Sequence, residues 1–259
     1  MIGVSQYGKW CEVRDPFRHF QASEVLPNEQ YRAIEAEFQR LLDVTEGRAQ
    51  GGIQLIKSDR NYDARMLPIT EQNMDRFHPF FSESWLSSLC GLVKIPYIPR
   101  IDAALHSSPQ NSRSGWIHTD FCSGWFDESR YSGTGILFPD RTRCHYFEGT
   151  PRTAGAKPAE YIRAATLIFY LCNDNWTQGD GGETGFYGSG RESQNTQTLL
   201  VAPINNRLIL FECSPHSYHR FVSNPGRVRN SLILWLHCEV QSAEDRWGPR
   251  AINRRGKNV

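Results

Sequence analysis

The sequence predicts a mainly β fold with flanking helices, in which the helices pack outside a β-sandwich or barrel. Three observations predict it. Both helical periodicities fall in the first hundred residues. From about Arg100 onward, short apolar runs recur at 101–105, 116–121, 165–172, 198–203, 207–213 and 231–238. Clusters of Gly, Pro, Asn and Ser separate those runs, as in chains of many short strands. Leading helices followed by strands argue against an alternating α/β sheet.

In chain order, Tyr31, Ile34, Phe38, Leu41 and Leu42 stand at three- and four-residue spacing after Pro27-Asn28, which predicts an amphipathic helix over 28–43. A second helix is expected over 83–92, with Ser82 as N-cap and Trp85, Leu86, Leu89 and Cys90 on its buried side. Pro96 and Pro99 stop helical structure after it. Asn205-Asn206, between two apolar runs, reads as a hairpin turn because Asn tolerates positive φ. Residues 123–162 carry eight Gly and Pro without periodicity, more than a connector needs. This segment reads as a lid over a binding site, or else as a surface insertion.

The domain plan is a single unit over 1–259. It comprises an N-terminal helical support region (1–99), a β core (100–240) holding the 123–162 insertion, and a C-terminal tail (241–259). The basic stretch from Arg246 to Lys257 reads as solvated.

Composition excludes several classes. The net charge is +1 and no basic stripe is visible, which argues against nucleic acid as a partner. No apolar run is long enough to span a bilayer, and the first thirty residues lack a signal-peptide core. Seven scattered cysteines include no Cys-x-x-Cys pair, which excludes zinc-ribbon and thioredoxin readings. Reduced thiols predict a cytoplasmic location.

The chemistry sits in two short motifs. His118-Thr-Asp120 follows Gly115-Trp-Ile, and His219 lies in Tyr218-His-Arg-Phe-Val. On a strand, His118 and Asp120 project to the same side, about 7 Å apart along the backbone. A third ligand, His219, would arrive from a distant strand. Two imidazoles and one carboxylate on one face of a metal leave adjacent positions open, the ligand set of non-haem Fe(II) oxygenases. Arg229, ten residues after His219, opens an apolar run. A guanidinium buried there needs a carboxylate, either from the protein or from a dicarboxylate ligand whose 2-oxo acid end reaches the metal.

With these motifs stand Leu167-Ile-Phe-Tyr170-Leu-Cys-Asn173, Gly181-Gly-Glu-Thr184, Asn206-Arg-Leu-Ile-Leu-Phe211 and the run from Arg229 to Trp235. In this order they resemble the Fe(II)/2-oxoglutarate-dependent oxygenases, and within them the prolyl-4-hydroxylase-like branch. Asp15-Pro-Phe-Arg-His-Phe20 and Val25-Leu-Pro-Asn28 resemble the lead-in strand and helix of such enzymes. The resemblance implies a double-stranded β-helix, a jelly-roll or cupin-like barrel. It also implies Fe(II), 2-oxoglutarate and O2, with His118, Asp120 and His219 on the metal and Arg229 on the C5 carboxylate. Tyr170 is either a second contact to that carboxylate or a packing residue. Asp120, absent from related halogenases, implies hydroxylation. Where some members place a tyrosine about ten residues before the first metal histidine, this chain has Ser108 and His106.

The remaining candidates are weaker. Gly181-Gly-Glu-Thr reads as a strand-entry turn, and His216, His237 and His106 as residues outside the triad. Trp116, Phe121, Trp125 and Tyr131 read as pocket walls or core, and Arg113 and Arg130 as surface. The expected activity is hydroxylation of an unactivated C–H bond of a small molecule, an amino acid or natural-product intermediate, giving succinate and CO2. The alternatives are a prolyl or other side-chain hydroxylase acting on a protein, and a desaturating or cyclising oxygenase.

Overall fold

The computed structural model describes residues 8–43, 54–57, 63–173, 175–193 and 196–254. In chain order these form β1 (Lys9–Val13), β2 (His19–Ser23), α1 (Asn28–Asp43), β3 (Gln54–Lys57), β4 (Asp63–Pro68), a 3-10 segment (Met74–Phe80) and α2 (Glu83–Val93). There follow β5 (Ile101–Ser108), β6 (Ser123–Asp127), β7 (Pro158–Tyr170), β8 (Thr184–Tyr187), β9 (Leu199–Val201), β10 (Arg207–Glu212), β11 (Tyr218–Phe221), β12 (Arg229–Glu239) and α3 (Val240–Trp247).

A large sheet runs β1-β2-β10-β7-β12-β5-β4-β3, and β6 pairs with the front of β7. A small sheet, β11-β8-β9, faces it. The two sheets stack as in a double-stranded β-helix without closing into the barrel that the sequence predicted.

Strand alternation separates the two faces of the large sheet. Leu105, Leu167, Phe169, Leu208, Leu210, Leu232 and Leu234 join Tyr31, Ile34 and Phe38 of α1 and Leu86 and Leu89 of α2 in one core. Ile168, Tyr170, Ile209, Phe211, Ile233 and Trp235 face the small sheet and pack with its Phe186 and Val201. Because both faces are covered, β7 ends in the apolar run Leu167-Ile-Phe-Tyr170 and β12 carries Leu232-Ile-Leu-Trp-Leu236 unbroken.

Several expectations are corrected. The support region is not only helical, since β1 to β4 extend both edges of the large sheet. Parts of it, 1–7, 44–53 and 58–62, lie outside the described residues. Ser82 stands at the N-cap of α2 but makes no side-chain cap hydrogen bond. Asn205-Asn206 does turn, with Asn206 at φ 59°. It carries the chain from the small sheet to the large one, so β9 and β10 are not a hairpin. The C-terminal segment is docked, with Ala243 and Ile252 buried. Arg246 pairs with Glu212, and Arg254 with Glu160 and Glu244. Lys257 lies outside the described residues.

The 123–162 segment contributes β6 and the start of β7, and the chain between them folds as a packed body. Leu137, Phe138, Cys144 and Tyr146 are buried. Leu137 exchanges backbone hydrogen bonds with Pro99 and Ile101, and Arg143 pairs with Asp127. Tyr146 Oη meets Arg163 Nε at 3.1 Å and His237 Nε2 at 2.9 Å. A Cβ at Gly124 would lie 2.7 Å from that hydroxyl, so only glycine admits the contact. We expect Tyr146→Phe to lower stability by about 1–3 kcal/mol in urea unfolding, because it strips partners from two buried groups. An unchanged midpoint would mean the body is not anchored there.

Candidate metal centre

His118 and Asp120 sit in the extended segment before β6, not on a regular strand. One isolated bridge ties this segment to β11. His118 N–H donates to His219 O at 3.0 Å, and His219 N–H donates to His118 O at 2.9 Å. The bridge brings together residues far apart in the chain, and the ligand atoms of His118, Asp120 and His219 all lie within 4.8 Å of one another. Asp120 and His219 are buried, while His118 is half-buried.

Each ligand is oriented by a second contact. His118 Nδ1 lies 3.0 Å from Trp116 O, and His219 Nδ1 lies 3.0 Å from Ser217 O. A carbonyl only accepts, so each Nδ1 carries the proton and each Nε2 presents its lone pair. Those Nε2 atoms stand 3.7 and 3.5 Å from the Asp120 carboxylate. Thr166 Oγ1 and Trp235 Nε1 each donate to Asp120 Oδ2 at 2.8 Å, and Arg163 Nη1 lies 3.6 Å from Oδ1. Burial alone would raise the Asp120 carboxyl, but the Arg163 charge beside it lowers it, and Thr166 and Trp235 donate to it. The donor set is an ionised carboxylate and two imidazoles with converging lone pairs, which fits a divalent first-row metal.

Arg229 opens β12 and is 2% exposed. Its Nη1 donates to Ser231 Oγ at 3.0 Å and its Nη2 reaches Thr184 Oγ1 at 3.4 Å, while Nε has no partner. Among the described residues, no carboxylate forms an ion pair with it. The protein-side bridge that would make Arg229 an ordinary structural cation is therefore missing. Tyr170 Oη lies 2.6 Å from Thr184 Oγ1, and the Arg229 guanidinium stands 5.1 Å from the Tyr170 ring centre. A buried cation that meets two hydroxyls and no carboxylate among the described residues fits an entering carboxylate.

The structure brings all five predicted site residues to one side of the large sheet. Sequence reasoning missed Thr184, Ser231, Thr166, Trp235 and Arg163. Alternation along β12 from Arg229 carried the signal for Ser231 and Trp235. Other candidates fall elsewhere. His216 is exposed against Trp247, and His237 is buried between Arg100 O and Tyr146. Glu183 accepts from Gly179 N–H inside its turn. Trp116 lies 5.5 Å from His118, whereas Phe121, Trp125 and Tyr131 pack against other parts of the fold. Arg113 is exposed, and Arg130 pairs with Glu71 and Asp140.

Two buried histidines make stability depend on pH. Burial, with Arg229 or Arg163 nearby, pushes His106 and His237 down to about 3 from 6.5. Between those values the unfolded chain binds protons that the folded chain refuses. The stability carried by the neutral rings is thus complete above pH 6.5 and is lost as pH falls toward 3. We expect urea unfolding to show a loss between pH 7 and 5 of up to about 1.4 kcal/mol per pH unit per ring. His237→Gln should flatten that slope, and an unaltered slope would refute its source.

Fold and site together place two imidazoles and one carboxylate where they could hold a single metal ion. Residues 117–237 match the model of the 2OG-Fe(II) oxygenase superfamily. A prolyl-4-hydroxylase from Pseudomonas putida shares the fold at TM-score 0.55 and 15% identity, covering 90% of this chain and 94% of that one. A Trichoplax adhaerens prolyl hydroxylase, solved with a hypoxia inducible factor oxygen degradation domain peptide, aligns at TM-score 0.51 and 15% identity, covering 90% and 85%. No curated protein sequence matches the chain. Over residues 117–237, which hold His118, Asp120 and His219, the chain is thus similar to the 2OG-Fe(II) oxygenases, and its fold is shared with the prolyl-4-hydroxylases. Among the described residues, no helix is long and apolar enough to cross a membrane.

Proposed function

We propose that the protein hydroxylates an unactivated C–H bond on a side chain of a peptide or protein, with His118, Asp120 and His219 holding Fe(II). The carboxylate-free burial of Arg229 carries the cosubstrate half of this reading. Arg229 binds the C5 carboxylate of 2-oxoglutarate, and Thr184, Ser231 and Tyr170 fix the guanidinium and complete its polar wall. When bound, Fe(II) supplies the redox chemistry that divides O2, one atom entering succinate as CO2 leaves and the other entering the substrate as hydroxyl. Thr166 and Trp235 hold the Asp120 carboxylate in place, and the Ile168, Ile233 and Phe211 side chains between Arg229 and the triad exclude water.

The substrate side rests on the triad's exposure. His118 is the one ligand that reaches solvent, beside the half-buried Trp116, so the metal opens at an edge that a bulky chain can approach. The small-molecule reading drew on a lid over 123–162, and the contacts of Tyr146, Arg141 and Arg143 that tie this body to the rest of the fold weigh against it. Succinate release with a proline-containing peptide library, followed by mass spectrometry for a gain of one oxygen, tests the proposal. Turnover confined to free amino acids or other small molecules would reverse it.

A further inference from the structure

His106 and Ser108 of β5 are buried to 4% and 0% exposure. Both ring nitrogens of His106 and the hydroxyl of Ser108 lack a hydrogen-bond partner among the described residues. Buried polar groups are nearly always paired, so two such residues on one strand call for an explanation.

The pairing of β5 with β12 supplies it. Ser108 lies opposite Arg229, and His106 opposite Ser231, the residue that accepts from Arg229. Directly opposite side chains share a face at about 5 Å and diagonal ones at about 7 Å. The unpartnered Nε of Arg229 belongs to this same patch. His106 also stands 6.0 Å from the Trp235 ring, whose Nε1 donates to Asp120. The two residues therefore flank the path from Arg229 to the metal ligands.

Resting on the 2-oxoglutarate reading above, we infer that His106 and Ser108 form a second polar wall of the cosubstrate site, donating N–H and O–H to its oxygens. The neutral state of His106, pushed down to about 3 by burial and by Arg229, gives it one N–H and one bare nitrogen.

Isothermal titration of 2-oxoglutarate into Mn(II)-loaded protein tests the wall without turnover. We expect His106→Leu to weaken binding roughly tenfold to a hundredfold, as for a lost hydrogen bond to a charged group. His106→Asn should recover part of the affinity, and Ser108→Ala should lose several-fold, by the same reasoning. A second signature separates this role from packing. Removing an unsatisfied buried group relieves a cost, so His106→Leu should raise the melting temperature of the metal-free protein while weakening the ligand. Wild-type affinity in both His106→Leu and Ser108→Ala would overturn the inference and leave the 2-oxoglutarate reading intact. No binding by the wild type would overturn both.

Discussion

Asp120→Ala is expected to abolish stable metal binding and all 2-oxoglutarate turnover. Loss of a partner that merely orients a ligand costs about 10–100-fold in metal affinity, and Asp120 is the only carboxylate in the cluster, so the loss should exceed that range. The variant also strands the Thr166 hydroxyl and the Trp235 indole N–H, both of which donate to Asp120 Oδ2. Metal analysis after anaerobic gel filtration with Fe(II) reads the first effect, and a succinate assay the second. Retention of a full equivalent of iron would show that the triad is not the binding site.

Arg229→Leu should leave metal content unchanged and weaken 2-oxoglutarate by about 2–5 kcal/mol, the range for truncating one partner of a buried charge pair. Anaerobic visible absorption reads this directly. The weak charge-transfer band expected when 2-oxoglutarate joins Fe(II) should appear in the wild type and demand far more cosubstrate in the variant. The same substitution removes a buried cation with no acidic partner among the described residues, so the free variant should melt above the wild type. A variant that loses stability and keeps its cosubstrate affinity would make Arg229 a structural residue.

The five candidate positions, His118, Asp120, Tyr170, His219 and Arg229, were picked by residue type within short motifs, and the structure gathers the first, second and fourth into one cluster. Periodicity gave α1 over its full observed span, and α2 within a residue, since helix contacts are local. Strands were harder. β7 begins seven residues before the apolar run that announced it, because Pro158 to Ile162 pair with β6 and carry mixed polarity. Trp116 to Phe121 read as a strand, but only His118 is bridged, to a partner a hundred residues away that no local pattern names. Thr184 was taken for a turn residue. Its place beside Arg229 depends on the small sheet folding over the large one, a contact that single-sequence spacing does not encode.

The two-way backbone bridge between His118 and His219 has a consequence for how the centre assembles. Each residue's amide is clamped by the other's carbonyl, so the two imidazoles are gathered by the polypeptide itself and not by the ion. The entropy of bringing two distant segments together is met during folding. Iron then meets a coordination sphere already gathered, and its binding free energy goes into occupancy and not into ordering the chain.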